Sequence, residues 1–228
     1  MPQQVLFICA HPDDEVIGAG GAILHHTTNG DNVNIIFLSD GESSRDFSNI
    51  ANDIKDRRES SRKACSILGV NNPTFYDFSD NRMDDYSLLE IVKVIEKEVA
   101  HYKPSIIYTH HSGDLNIDHQ VTNKAVLTAC RPTPECLVEK IFTFEVLSST
   151  NWSSTQDSNV FTPNYYIDIT PYISKKTDAL KAYINEIYPY PHSRSLDAIK
   201  SLSVYRGTTV GMKYAEAFFI ERLLERNK

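Results

Sequence analysis

The chain has 228 residues, 41% of them hydrophobic and 23% charged, with a formal net charge of -7; that length supports one core, and no stretch has the composition of an interdomain linker, so a single domain over 1–228 is expected. Scattered basic residues in an acidic chain exclude the footprint of a nucleic-acid binder and a polybasic membrane patch, which leaves a small molecule as the expected partner. No basic segment leads a long apolar stretch at the N-terminus, no apolar run is long enough for a transmembrane segment, and Cys9, Cys65, Cys130 and Cys136 form no CxxC, as in the reduced thiols of a cytoplasmic protein.

Strand-like and helix-like runs alternate along the chain. The run Val5 to Ala10 reads as a buried parallel strand, Gly18 to Asn29 as a short helix ending at Asn29-Gly30, and Val33 to Leu38 as a second buried strand. A helix over Asn49 to Leu68 ends at Gly69, a short strand spans Thr74 to Phe78, and Tyr86 to Tyr102 carries a broad apolar helix face stopped by Pro104. Ser105 to Thr109 is a fourth strand, Asp118 to Cys130 a helix and Lys140 to Val146 a fifth strand. The segment Ser148 to Asn159 is polar and long enough for a lid or binding loop, with Trp152 within it. A strand at the sheet edge over Tyr165 to Ile169, helices over Lys175 to Ile187 and Leu196 to Tyr205, and a last strand over Ala217 to Ile220 complete the chain. This alternation predicts an α/β fold: a Rossmann-like, doubly wound, mostly parallel sheet with helices on both faces.

Two polar clusters stand at strand ends, where open α/β sheets bind ligands. The first is His11-Pro12-Asp13-Asp14-Glu15 and the second is His110-His111-Ser112-Gly113-Asp114-Leu115-Asn116-Ile117-Asp118-His119. Capping the following helix needs one of the first cluster's carboxylates and leaves the others unexplained. A catalytic zinc takes three protein ligands from His and carboxylate and keeps one position for water, a count that His11, Asp14 and His119 meet. Fe2+ or Co2+ suits the same donors. His25, His26 and His101 read as structural. Gly18-Ala19-Gly20-Gly21 follows a strand but lacks the GxGxxG spacing of a dinucleotide-binding turn.

The pairing of HPDDE with a downstream Asp118-His119 resembles the zinc-dependent N-deacetylases of the PIG-L or LmbE-like family. The resemblance extends through Ser39-Asp40-Gly41-Glu42, Arg57 and Glu59, Asp80-Asn81-Arg82, Arg206-Gly207 and Ala215-Glu216-Ala217-Phe218. It implies an LmbE-like fold, His11, Asp14 and His119 as zinc ligands, and Asp13 as the general base acting on water. Many members place a histidine three positions before the last ligand to stabilise the oxyanion. Asn116 stands there in this chain, which leaves His110, His111, His192 or the Asn116 amide to take the role. Arg57 and Asp80 are implied to hold sugar hydroxyls. His192 and Arg194, in Pro189-Tyr190-Pro191-His192-Ser193-Arg194-Ser195, are read as substrate contacts or local scaffolding, while Glu15 and Asp118 support the site from behind. The resemblance further implies removal of an N-acetyl group from an amino sugar or its conjugate, in bacterial surface-glycan or nucleotide-sugar metabolism, and a homo-oligomer, trimer or hexamer. The rival readings are a metal-dependent hydrolase of another amide or an ester, and a non-catalytic Rossmann-like binding module.

Overall fold

Both faces of the strand Gln4–Cys9 (β1) are buried, Val5, Phe7 and Cys9 in one core and Leu6 and Ile8 in the other, so its continuous apolar run belongs at the centre of a two-sided sheet. The computed structural model describes residues 2–45, 49–154 and 160–225; residues 155–159 of the expected polar loop lie outside them. The remaining strands are β2 (Asn32–Ser39), β3 (Thr74–Phe78), β4 (Ile106–His110), β5 (Lys140–Phe144), β6 (Tyr165–Asp168) and β7 (Ala215–Leu223). The helices are α1 (Asp14–Thr28), α2 (Ile50–Ile67), α3 (Leu88–Tyr102), α4 (Ile117–Ala129), α5 (Ile173–Lys181) and α6 (Leu196–Thr208). Residues of α1, α2, α5 and α6 fill the core on one face, and those of α3 and α4 fill the other. None of the described helices is long and apolar enough to cross a membrane.

The strand order is β3-β2-β1-β4-β5-β7-β6. The pairs from β3 through β5 are parallel, while β7 runs antiparallel between β5 and the edge strand β6, so the sheet is α/β and mostly parallel. The chain winds outward from β1 to β3 and resumes on the other side at β4. The strand order therefore switches between β1 and β4, whose carboxyl ends carry the two polar clusters.

Several boundaries differ from expectation. α1 starts at Asp14 rather than Gly18, which places Asp14 and Glu15 in its first turn, and Asp13, at φ 130°, makes no side-chain cap. The helix expected over 175–187 ends at Lys181 and is followed by a single 3-10 turn, Ile184–Glu186. The last strand, read as a four-residue run, extends over nine.

The glycines of Gly18-Ala19-Gly20-Gly21 serve packing. A Cβ on Gly18 would collide with Phe144 and one on Gly21 with Ile169. The helix kinks at Ala19, which frees two backbone N–H groups, and those of Gly21 and Ala22 each donate to Glu216 at 2.7 Å. Lys176 Nζ donates to Glu216 at 2.6 Å and to the Ile17 carbonyl at 2.9 Å, so a buried ion pair caps the second half of α1. Glu216→Ala strands the Lys176 charge and both amides, and is expected to cost about 3–5 kcal/mol in denaturant unfolding. An unfolding midpoint equal to wild type would show that the pair carries no stability.

Candidate metal centre and active site

Three donor atoms meet at the β1/β4 switch point. His11 Nδ1 lies 3.3 Å from Asp14 Oδ2 and 3.3 Å from His119 Nε2, and the latter two are 3.4 Å apart. A tetrahedral ion about 2.0–2.1 Å from each ligand separates its ligand atoms by about 3.3–3.4 Å, so the triangle has the edge length that zinc requires. All three side chains are buried, and Asp14 Oδ1 is buried with no hydrogen-bond partner.

Each imidazole is held on its far side by a carboxylate. His11 Nε2 is 2.9 Å from Asp118 Oδ2 and 3.2 Å from Asp80 Oδ1, and His119 Nδ1 is 3.2 Å from Asp114 Oδ2. Those carboxylates are themselves fixed: Asp118 accepts the Asn81 N–H at 2.7 Å and the Met83 N–H at 2.9 Å, and Asp114 accepts the Asn116 N–H and the hydroxyls of Ser149 and Thr150. Ser44 donates to Asp80. Such partners would orient each ring so that its other nitrogen faces an ion held by the triangle. His11, Asp80 and Asp118 also converge closely enough to suggest an ion, but Asp118 and Asp80 already accept protein donors there. With Nε2 turned to Asp118 and Asp80, Nδ1 is the His11 nitrogen turned towards Asp14 and His119.

The electrostatics demand positive charge at this point. Burial works against charging His119, yet Asp14 and Asp114 outweigh it and hold the imidazole up at about 9. Burial likewise opposes His11, but hydrogen bonds to Asp118, Asp14 and Asp80 raise it well above the usual histidine range. Asp14 is also desolvated and is nevertheless held well below the carboxylate range by the histidines around it. A divalent ion held by the triangle would supply positive charge at the point where the surrounding carboxylates favour it. Asp118→Asn removes a support of His11 without touching the triangle, and is expected to weaken zinc binding roughly 10- to 100-fold. A chelator competition titration reads this directly; wild-type affinity in the variant would remove Asp118 from the site.

Asp13 stands beside the triangle. Its Oδ2 receives Arg194 NH1 at 2.8 Å and lies 3.1 Å from Arg57 NH2, while Oδ1 is buried and unpartnered. Burial raises its pKa, and the two guanidiniums pull against that rise. Glu15 accepts the Asp13 N–H at 2.9 Å and the Tyr183 hydroxyl at 2.6 Å, fixing the backbone of Asp13 from behind, and burial lifts its carboxyl to about 8.

The other expected residues fall into distinct places. Arg57 donates from Nε to the Pro12 carbonyl at 2.7 Å and pairs with Asp13, Glu42 and Glu186, and it also lines the cleft beside Asp13. Asp80 faces His11 and lines the same cleft. Asn116 caps α4 by accepting the Asp118 N–H, and its amide donates to Asn81 at 3.1 Å. His110 is stacked on His119 at 3.9 Å with its Nε2 accepting the Ala10 N–H, and burial lowers it to about 3, so it is a neutral acceptor behind the ligands. His111 sets its ring edge-on to Phe161. His192 accepts the Arg194 N–H at Nδ1 and packs between Trp152 and Tyr188. A cleft of about 110 Å³ is lined by His11, Asp13, Asn116 and Arg194 among others, and neither His110 nor His192 lines it. His26 bonds Asp31 and Tyr108, as a structural histidine should.

Glu186 escaped the sequence reading. It receives Arg45 at 2.8 Å and Arg194 at 3.2 Å and also pairs with Arg57, so one buried carboxylate gathers three arginines around the cleft. Its position in a 3-10 turn carries no periodic or motif signal. Asp114 was legible only as part of a polar cluster.

The model of the family described as PIG-L, GlcNAc-PI de-N-acetylase, matches residues 6–130, which is more than half of the chain and includes both clusters. The chain belongs to the PIG-L family. Among its relatives is the "Probable N-acetyl-alpha-D-glucosaminyl L-malate deacetylase 2" of Bacillus anthracis, 26% identical over 190 residues that cover 81% of each chain. The N,N'-diacetylchitobiose deacetylase of Pyrococcus horikoshii, solved with its inhibitor MPG, superimposes with a TM-score of 0.79 at 20% identity, covering 96% of this chain and 84% of that one. GalB, the 4-carboxy-2-hydroxymuconate hydratase of Pseudomonas putida, superimposes with a TM-score of 0.76 at 20% identity over 99% of this chain and all of its own. Solved structures of similar fold thus include both a deacetylase and a hydratase, and the reaction must be argued from the site.

Proposed function

We propose that the chain is a zinc-dependent N-deacetylase of amino-sugar conjugates, one catalytic domain spanning residues 1–228. The observation that carries this reading is the 3.3–3.4 Å triangle of His11 Nδ1, Asp14 Oδ2 and His119 Nε2 with the unpartnered Asp13 Oδ1 beside it. A zinc ion held by these three residues supplies a water of lowered pKa, near ~7, and a Lewis acid for the amide carbonyl. Asp13 Oδ1 takes the proton of the attacking water and returns it to the departing amine. Arg57 and Arg194 occupy Oδ2, which leaves Oδ1 as the oxygen free to act as the base, and their charges pull against the rise that burial imposes on the Asp13 pKa. Asn116 and Arg194 are among the side-chain donors lining the cleft, and one of them would serve a developing oxyanion. Membership in the family and the likeness to an N-acetylglucosaminyl malate deacetylase support an acetamido sugar as the reacting group. The four free cysteines, three of them buried, support a cytoplasmic setting.

The test is acetate release from a panel of N-acetylated amino sugars and their glycosides, run beside ester substrates and an unsaturated carboxylic acid. Zinc-dependent acetate release from the sugars is expected. Turnover confined to esters or to hydration would assign the site to one of those reactions.

A further inference from the structure

The cleft beside Asp13, about 110 Å³, is well below the roughly 300–1,000 Å³ of sites that hold a whole small molecule. A groove of about 470 Å³ adjoins it, sharing the walls Arg45 and Arg57. That volume lies within the range of roughly 300–1,000 Å³ found for small-molecule sites. One side of the groove is a face of α2 with its cap, Asn49, Asp53, Asp56 and Ser60, and Asn185 and Tyr188 stand opposite. Tyr188 is exposed, and its ring is held against His192 at 4.5 Å.

We propose that this groove is the subsite for the remainder of the substrate, and that it takes a second sugar ring, neutral or carrying a free amine. This rests on the deacetylase reading above. Short amide, hydroxyl and carboxylate side chains along α2 match the vicinal hydroxyls of a pyranose, each able to accept or bridge a pair of O–H groups. Tyr188 offers a flat apolar surface with a polar tip at the wall, suited to the C–H face of a sugar. The charges exclude other occupants. Asp53 and Asp56 make no ion pair among the described residues, while Arg45 and Arg57 are already paired with Glu42 and Glu186. A phosphate or carboxylate would meet uncompensated negative charge, which turns away nucleotide sugars and acid-bearing glycosides. The described lining holds no aliphatic side chain for a lipid tail.

The zinc-loaded protein is assayed with N-acetylglucosamine, its β-1,4-linked disaccharide and a uridine-diphosphate N-acetylglucosamine. The disaccharide is expected to exceed the monosaccharide by at least tenfold in kcat/KM, with the nucleotide sugar below both. Charge reversal on the helix surface, Asp53→Lys with Asp56→Lys, is expected to leave monosaccharide turnover unchanged, to lower the disaccharide towards it and to raise the nucleotide sugar. Tyr188→Ala supplies a second variant on the opposite wall and is expected to raise the disaccharide KM with little change in kcat. Calorimetry of the disaccharide against the metal-loaded protein gives a readout free of turnover. Disaccharide binding abolished by the groove variants, with no acetate released from any sugar, would sink the deacetylase reading and keep the subsite. Acetate release with a preference for the nucleotide sugar, or with no response to the groove variants, would overturn the subsite and keep the reaction.

Discussion

Asp13→Asn is expected to keep one zinc per chain and to lose roughly 10²–10⁴-fold in kcat/KM for acetate release, the range that a positioned general base contributes. The side chain lies outside the metal triangle, so ion content is preserved. Asparagine retains the shape and tolerates the positive φ of 130° at this position better than alanine does, which keeps the backbone effect small. Arg57 and Arg194 lose one of their carboxylates but keep Glu186. A modest fall in unfolding temperature therefore accompanies the loss of turnover. Metal content by mass spectrometry beside initial rates decides the matter, and an Asp13→Asn protein that is metal-loaded and fully active would remove the base.

His119→Ala is expected to have the complementary outcome, with stoichiometric zinc and activity lost together. The triangle has three corners, and deleting one leaves His11 and Asp14, which neighbour each other along the chain, with no donor from the second loop. Asp114 at the same time loses the imidazole it orients, so a buried carboxylate remains with only hydroxyl and amide partners. The pair of variants separates two failures that a rate alone merges. One protein is loaded and inert, the other is empty. If His119→Ala binds zinc as tightly as wild type, the second cluster has no part in holding the ion.

Much of this arrangement was readable from the chain because two physical rules act locally. Strands buried on both faces leave continuous apolar runs, so β1, β2 and β4 stand out, and polar clusters directly after two such runs have one place to go. The sequence misled where a side chain's partner comes from afar. Pro12-Asp13-Asp14 looks like a turn, and the helix was expected to begin at Gly18; α1 in fact starts at Asp14, because Glu15 and Asp13 find their partners in Tyr183, Arg57 and Arg194. Arg57 matches a family motif, but no local signal records that its guanidinium meets Pro12, Glu42 and Glu186 at the wall of the cleft. The helix expected over 175–187 breaks after Lys181, and the 3-10 turn that follows places Glu186 among three arginines. Nothing in the periodicity of that segment records the contacts with Arg45 and Arg57, since both arginines come from the first third of the chain.

The claim on which the rest stands is that the ion sits on the Nδ1 side of His11. Anomalous diffraction at the zinc edge from crystals of the loaded protein tests it most directly. A single peak about 2.0–2.1 Å from His11 Nδ1, an Asp14 carboxylate oxygen and His119 Nε2 is the result expected. A peak instead at His11 Nε2, between Asp80 and Asp118, would contradict it.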